Sequence, residues 1–332
     1  MPLHNYSILD LVPVSEGATA SDALANCLSL AQHAETWGYH RFWLAEHHNM
    51  PGIASAATAV LLAHIAGGTK AIRVGSGGIM LPNHAPLQVA EAFGTLATLF
   101  PDRIDLGIGR APGTDGITMR ALRRNLQHTD QFPEDVLEVI SYLGAHDTAT
   151  QVHAYPGEGT HVPVWILGSS LYGAQLAAYF GLPYAFASHF APQMLEEASA
   201  TYRATFRPSK FLARPYFMMA IGVCAAETDE EAEFLRTSQI LAFARLRSGQ
   251  AGKLPAPVED LSMLSEALLR DVNQALSCSA VGSVATVAAQ IDRLLAQFQP
   301  DEILVTGMIH DPAKRLESHR IAADILRQRI AA

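Results

Sequence analysis

The chain has 332 residues, 49% of them hydrophobic and 17% charged, with a formal net charge of −9 from 23 Lys+Arg against 32 Asp+Glu. That balance supports a large core, and with no basic run longer than Arg123-Arg124 it argues against a nucleic-acid partner. No stretch reaches the roughly 18 uninterrupted apolar residues of a membrane span.

The N-terminal "MPLHNYSILDLVPV" shows neither a basic n-region nor a small-residue cleavage site, so no signal peptide is expected. Cys27, Cys224 and Cys278 share no C-x-x-C spacing, which fits a reducing, cytoplasmic setting without a disulfide framework or zinc knuckle.

Short β-rich runs alternate with helical patterns along the whole chain. "YSILDLVPV" reads as a first strand. Residues 21–37 then place Leu24, Cys27, Leu28, Ala31 and Ala34 at helical spacing, with Ser21 or Thr19 as cap and Gly38 as stop. "RFWLAEHH" and "SAATAVLLAHIA" form the second unit. "AIRVGSGGIML" leads into "APLQVAEAFGTLATLF", with Pro86 in its first turn. "RIDLGIGR" is followed by a polar connection and "PEDVLEVISYLG".

The second half keeps the rhythm. "PVWILGSS" precedes "LYGAQLAAYFG", and "PYAFASHF" precedes "PQMLEEASATYRATF". "PYFMMAIGVCA" is followed by a long helical region from Asp229 to about Phe298. "DEILVTGMI" is the eighth strand and "PAKRLESHRIAADILRQRI" the last helix. Eight strand-then-helix units, with no Gly-, Ser- or Pro-rich linker between them, predict a single (β/α)₈ barrel over residues 1–332. A doubly wound sheet is the alternative, because strand order is invisible in sequence. The length exceeds a barrel of about 250 residues, and the excess falls in insertions near 145–162 and 245–280.

The unusual residues cluster at the C-terminal ends of the strands, where such barrels carry their chemistry. Strand two ends in Glu46-His47-His48, strand three in Gly75-Ser76-Gly77-Gly78, and strand four in "GIGRAPG". Strand five ends in Gly168-Ser169-Ser170 and strand six in Ser188-His189. Ser169 and Ser170 precede a helix, where free N–H groups and the helix dipole favour an anion. An N-cap is the plainer reading of two serines, but Gly168 lets a ligand approach the backbone. Arg110 adds a guanidinium suited to a phosphate, or simply a rim salt bridge. The glycines of "VGSGG" mark either a turn or a close approach to a ligand.

"GIGRAPG" is not a dinucleotide fingerprint: Pro112 takes the sixth position and no helix follows. A metal at Glu46-His47-His48 is disfavoured, because adjacent side chains of an extended segment point to opposite faces. Glu46 and His48 share a face, yet no H-x-H or H-E-x-x-H motif completes a ligand set. An acid/base role for one histidine fits better, since imidazole titrates near neutrality.

Together, "RFWLAEHH", "VGSGGIMLPNHAP", "RIDLGIGRAPG" and "ILGSSLYGAQLAAYFGLPYAFASHF" resemble the bacterial luciferase-like, flavin-dependent monooxygenase family over nearly the whole chain. The resemblance implies FMN bound at the barrel mouth and a monooxygenase that consumes reduced FMN and O₂ to oxidise a small, aldehyde-like compound. It implies that His47 is catalytic, with Glu46 or His48 orienting it. It further implies that Ser76, Gly77 and Gly78 border the flavin, through a non-proline cis peptide at Gly77-Gly78. Arg110, Ser169, Ser170 and the neighbouring Leu171 and Tyr172 would hold the phosphate.

A homodimer and a separate NAD(P)H-dependent flavin reductase are the implied partners, the latter because no dinucleotide fingerprint is present. Two departures set this chain apart from the light-emitting subunits. Gly109 stands where they have a reactive cysteine, and Ser188 or His189 where they have an aromatic residue near the end of strand six. Rival readings are a deazaflavin-dependent hydride-transfer enzyme on the same fold, a flavin-binding protein without turnover, and a metal-dependent barrel hydrolase.

Overall fold

The computed structural model describes residues 3–111, 113–122 and 131–330. Its centre is a closed parallel barrel of eight strands. These are β1 (Asn5–Asp10), β2 (Arg41–Leu44), β3 (Arg73–Met80), β4 (Ile104–Gly109), β5 (Val164–Gly168), β6 (Tyr184–Phe186), β7 (Phe217–Ala225) and β9 (Glu302–Thr306). Neighbours pair in chain order, β6 pairs with β7, β7 with β9, and β9 closes onto β1. The barrel expectation holds.

Helices α1 (Ala20–Thr36), α2 (Thr58–Gly68), α3 (Pro86–Leu99), α4 (Gly116–Ala121), α5 (Phe132–Tyr142), α6 (Leu171–Phe180) and α7 (Leu195–Thr205) alternate with the first strands. Among the described residues no helix is long and apolar enough to cross a membrane.

One expectation is corrected. The region from Asp229 to Phe298 is not one helical stretch but α8 (Asp229–Arg247), α9 (Glu266–Ala275), a ninth strand β8 (Ser279–Gly282) and α10 (Val284–Phe298). Strand β7 is the cause. Its nine residues outrun the barrel: Met218–Gly222 pair with β9, and Gly222–Ala225 continue upward to pair with β8. A four-residue strand between helices carries too few residues to reveal its period. The last helix is α11 (Pro312–Arg327), capped by Asp311. At α1 the cap is Thr19, in a reciprocal capping box with Asp22.

Side chains alternate across each strand, and in a closed barrel one set must fill the interior. On β2, Phe42 and Leu44 join the core shared with the helices, whereas Trp43 joins an inner cluster with Leu9, Trp165, Met218 and Leu304. Below this layer lies an ionic floor. Arg41 donates to Glu302 at 2.8 Å and to Asp105 at 2.8 Å. Arg73 donates to Asp105 at 2.6 Å, Tyr216 to Glu302 at 2.9 Å, and Trp43 Nε1 to Asp105 at 3.2 Å. The Ser7 hydroxyl also donates to Glu302. The Arg41 guanidinium lies 4.7 Å from the Trp165 ring centroid, tying floor to apolar layer.

Of the two insertions, residues 145–162 connect α5 to β5, at the barrel face opposite the strand ends. The segment between α8 and α9 instead reaches the strand-end rim, where Leu254 exchanges backbone hydrogen bonds with Val14 and Glu16. A Cβ on Gly52 would come within 2.2 Å of the Gly252 carbonyl oxygen, so this segment presses on the loop that follows Glu46-His47-His48.

The floor predicts a stability response. Burial alone would raise the Asp105 carboxyl, but Arg41 and Arg73 outweigh it and hold it below the ordinary 3.8. A depressed folded value means stability present above 3.8 and lost as pH falls through the folded value. Arg41→Met leaves buried Glu302 without a cation and Asp105 with Arg73 alone, and should cost about 3–5 kcal/mol in urea denaturation. The loss of wild-type stability on acidification below 3.8 should become shallower in the variant. A variant as stable as wild type would show that the floor is dispensable.

Candidate active site

The alternation that sends Arg41 and Trp43 inward carries past the end of β2 and separates the three titratable residues. Glu46 faces the helical layer. It lines a cavity of about 160 Å³ between α2 and α3, with Val60, Ile79, His84, Val89 and Phe93. Its carboxylate is a hub: His48 Nε2 and His84 Nε2 each lie 2.8 Å from Oε1, and the Met80 N–H donates to Oε2 at 3.1 Å. Burial pushes the Glu46 carboxyl up, but His84, His48 and the Met80 N–H together bring it below its usual value. Glu46 is thus an ionised clamp holding the end of β3 and the start of the next loop to β2.

His84 is the member the sequence reading missed. It sits in "LPNHAP", just ahead of the Pro86 that opens α3, and nothing in its spacing from Glu46 announces the contact. It completes a set of three potential ligands, Glu46, His48 and His84, whose donor atoms lie within 4.8 Å of one another. The bonds formed are those of a carboxylate bridging two imidazoles.

His47 faces the other way. Its Nδ1 is buried without a hydrogen-bond partner. Among the described residues neither Glu46 nor His48 hydrogen-bonds to its ring; the Glu46 bonds go to His48, His84 and Met80. Burial lowers the pKa of His47, His48 adds to the effect and Glu46 opposes it. His189, after β6, lies within electrostatic reach of His47. Burial pushes His189 down to about 3, with His47 contributing, and its Nδ1 is also buried without a partner. At neutral pH both rings are neutral, each with one donor and one acceptor nitrogen. Two orphaned imidazole nitrogens in one wall are costly unless a ligand satisfies them.

The glycines of β3 have a more local explanation than a ligand. A Cβ on Gly75 would lie 2.9 Å from Trp43 Nε1 and 2.5 Å from the Asp105 carbonyl oxygen, and one on Gly77 would lie 2.7 Å from Leu9 Cδ1. A side chain at either position would collide with the neighbouring strands, with Asp105 or Leu9 first and the Trp43 indole next. The Gly77-Gly78 peptide is cis, as the family resemblance implies. Ser76 is fully buried, and its hydroxyl is committed to β4: it donates to the Gly107 carbonyl at 2.9 Å and accepts from the Gly107 N–H at 3.1 Å.

Arg110, at the end of β4, is exposed, and its guanidinium lies 4.1 Å from the centroid of the Tyr172 ring. Tyr172 is in the first turn of α6, so this stacking holds the cation over the helix N-terminus. Among the described residues no carboxylate pairs with Arg110. Ser170 is the N-cap of α6, yet its side chain makes no capping bond. The Tyr184 hydroxyl donates to the Ser170 carbonyl at 3.2 Å and fixes the turn from below. Ser169 is half-buried, Ser170 exposed, and Leu171 and Tyr172 half-buried. The loop after β4 also reaches the histidines, with Thr114 Oγ1 donating to the His48 carbonyl at 3.2 Å. The rim therefore brings His47, His189, Arg110 and the start of α6 to one mouth, and leaves Glu46, His48 and His84 behind it.

Comparison with known proteins agrees with this architecture. The family model described as luciferase-like monooxygenase matches residues 5–301. A luciferase-like monooxygenase of Escherichia coli (strain K12) is 51% identical over 322 residues, covering 96% of each chain. The N-acetyl-S-alkylcysteine monooxygenase of Bacillus subtilis (strain 168) is 32% identical over 333 residues, covering 96% of this chain and 97% of the relative. The crystal structure of apo-MsnO8 superposes with a TM-score of 0.86 at 35% identity, over 98% of both chains.

Two more distant structures share the fold. One is the oxygenating constituent of 3,6-diketocamphane monooxygenase from Pseudomonas putida in complex with FMN, with a TM-score of 0.71 and 18% identity over 100% of this chain and 99% of the other. The other is an F420-dependent secondary alcohol dehydrogenase, with a TM-score of 0.70 and 14% identity over 98% and 99%. On the strength of a match that spans most of its length, the chain belongs to the luciferase-like monooxygenase family.

Proposed function

We propose that the protein is an FMN-dependent monooxygenase that uses reduced FMN and O₂ to oxidise a small, aldehyde-like organic compound. The observation that carries this reading is the juxtaposition on one rim of two orphaned buried imidazoles and an arginine without a carboxylate partner among the described residues, over a helix start whose N-cap side chain makes no capping bond. A planar heterocycle bearing a phosphate tail fits that set: the tail needs cation and free N–H groups, and the ring edge needs hydrogen-bond partners.

Arg110 would pair with the phosphate through its guanidinium fork while Tyr172 keeps it aimed. The free N–H groups of α6 and the hydroxyls of Ser169 and Ser170 would supply the remaining donors, with Leu171 covering the first turn. The Ser76–Gly78 segment would border the ring system through backbone alone, since the Ser76 hydroxyl is spent on Gly107. When bound, reduced FMN supplies the electrons that activate O₂.

His47 is the acid/base residue of the proposal. Held neutral by burial, its ring can accept a proton at one nitrogen and donate from the other. Glu46 and His48 act as positioning residues, fixing the loop that carries His47. The segment around Leu254 is part of the substrate wall, because it closes on the loop after His48. Reduced flavin would come from a separate NAD(P)H-dependent reductase, and the setting would be the cytoplasm. A homodimer belongs to the same proposal and rests on the family resemblance.

Two measurements test this. Arg110→Gln should weaken FMN binding about 10–100-fold, the worth of a charged hydrogen-bonded pair. Riboflavin, which lacks the phosphate, should bind wild type and variant alike. Equal losses for both ligands would remove Arg110 from the phosphate site, and tighter binding of a deazaflavin than of FMN would favour hydride transfer. His47→Ala should keep reduced-FMN affinity within about twofold and slow product formation from aldehydes by about 10²–10⁴. Unchanged turnover would reject His47 as the acid/base group.

A further inference from the structure

Away from the rim, the insertion between α5 and β5 carries a second cluster of ligand-type side chains. The His146 Nδ1 donates to Glu158 Oε2 at 2.8 Å, and the His153 Nδ1 donates to Glu158 Oε1 at 2.8 Å. The two imidazoles are stacked, with centroids 5.0 Å apart and planes 20° from parallel, so both Nδ1 atoms present to the same carboxylate. The Tyr155 ring stacks on His153 at 5.6 Å. One potential ligand atom from each of the three residues lies within 4.8 Å of the others.

The backbone holds this arrangement from both ends. The Gly159 N–H donates to the Gly144 carbonyl at 2.6 Å, and the His161 N–H to the Leu143 carbonyl at 2.9 Å. The Gly157 and Glu158 N–H groups both donate to the carbonyl of Ala154, a fully buried residue. Gly157 in turn presses on α3, where a Cβ on Gly94 would lie 2.1 Å from the Gly157 Cα. Glu158 and His153 are thereby fixed by the packing of their neighbours, and His146 follows from Gly144.

We propose that His146, His153 and Glu158 form a structural site for a zinc-type divalent transition metal. Two imidazole nitrogens and one carboxylate oxygen are a borderline donor set, which suits zinc, nickel or copper and not magnesium or calcium. Tetrahedral zinc with ligands near 2.0–2.1 Å places donor atoms about 3.3 Å apart. The present spacing, from 2.8 Å to at most 4.8 Å, brackets that value, and modest side-chain rotations close it. On binding, each ring carries its proton on Nε2 instead of Nδ1, so both Nδ1 lone pairs reach the ion. Water completes the shell, because the His146 side chain is 54% exposed. The site lies on the face opposite the strand ends, and all three ligands belong to the insertion, so the ion would cross-link that segment within itself without entering the oxidation chemistry.

The test is zinc(II) binding to chelator-stripped full-length protein, read by competition with a chromophoric chelator. The His146→Ala/His153→Ala double variant should bind one equivalent fewer than wild type, and Glu158→Gln should lose at least tenfold in affinity at that site. Copper(II) bound in the wild-type protein should show an electron paramagnetic resonance signal split by two nitrogens, absent in the double variant. His146→Ala alone truncates an exposed side chain and keeps the test valid if the double variant folds poorly. No saturable uptake would overturn the proposal. So would a stoichiometry unchanged in the double variant, which would place the ion elsewhere, or magnesium binding as tightly as zinc.

Discussion

The strict alternation of side chains along β2, imposed by a closed barrel, governs the rest of the molecule. Arg41 and Trp43 fill the interior, and Phe42 and Leu44 meet the helices. That single register carries floor, filling and chemistry on one edge of a strand. A slip of one residue would bury Glu46 in the lumen and turn His47 out towards α2 and α3. The neighbouring strand adapts to it: Gly75 and Gly77 carry no side chain where Asp105, Leu9 and the Trp43 indole leave no room for one.

Adjacent residues on either side of that boundary meet different electrostatics. Glu46 stays ionised because two imidazoles and a backbone N–H offset its burial. His47, one residue on, has no such partner, and burial drives it towards the neutral form. The carboxylate serves the scaffold, while the imidazole is left chemically uncommitted. At these two positions the satisfied group holds loops and the unsatisfied one faces the mouth.

Much of the fold was legible because each barrel strand is followed by a helix with its own start and stop. Pro86 opens α3 and Gly181, in the left-handed region, closes α6 as those signals require. The residues at strand ends were legible for the same reason, since a barrel puts them on one rim. What stayed hidden depends on contacts distant in sequence. His84 meets Glu46 across 38 positions, and the hub it completes cannot be read from either motif. Strand β8 exists because β7 overshoots the barrel, a property of pairing and not of local composition. The glycines of "VGSGG" were read as turn or ligand contact; the crowding by Asp105, Leu9, Trp43 and Gly107 that each of them also relieves is a long-range contact.

The two ends of the barrel divide stability from reactivity. At the floor every carboxylate has a guanidinium, hydroxyl or indole N–H, so a buried ionic set costs little net. At the mouth, the buried Nδ1 atoms of His47 and His189 lack partners, and each such atom costs about 1–3 kcal/mol. A fold can carry that deficit only if its packed apolar interior supplies a surplus that the floor does not spend. The deficit is what a ligand recovers on entry: hydrogen bonds absent from the empty wall form with the bound molecule, and the gain adds to its affinity. The ionic floor and the imidazole of His47 are therefore linked through the same strand, one end closed by satisfied charges and the other open to a ligand.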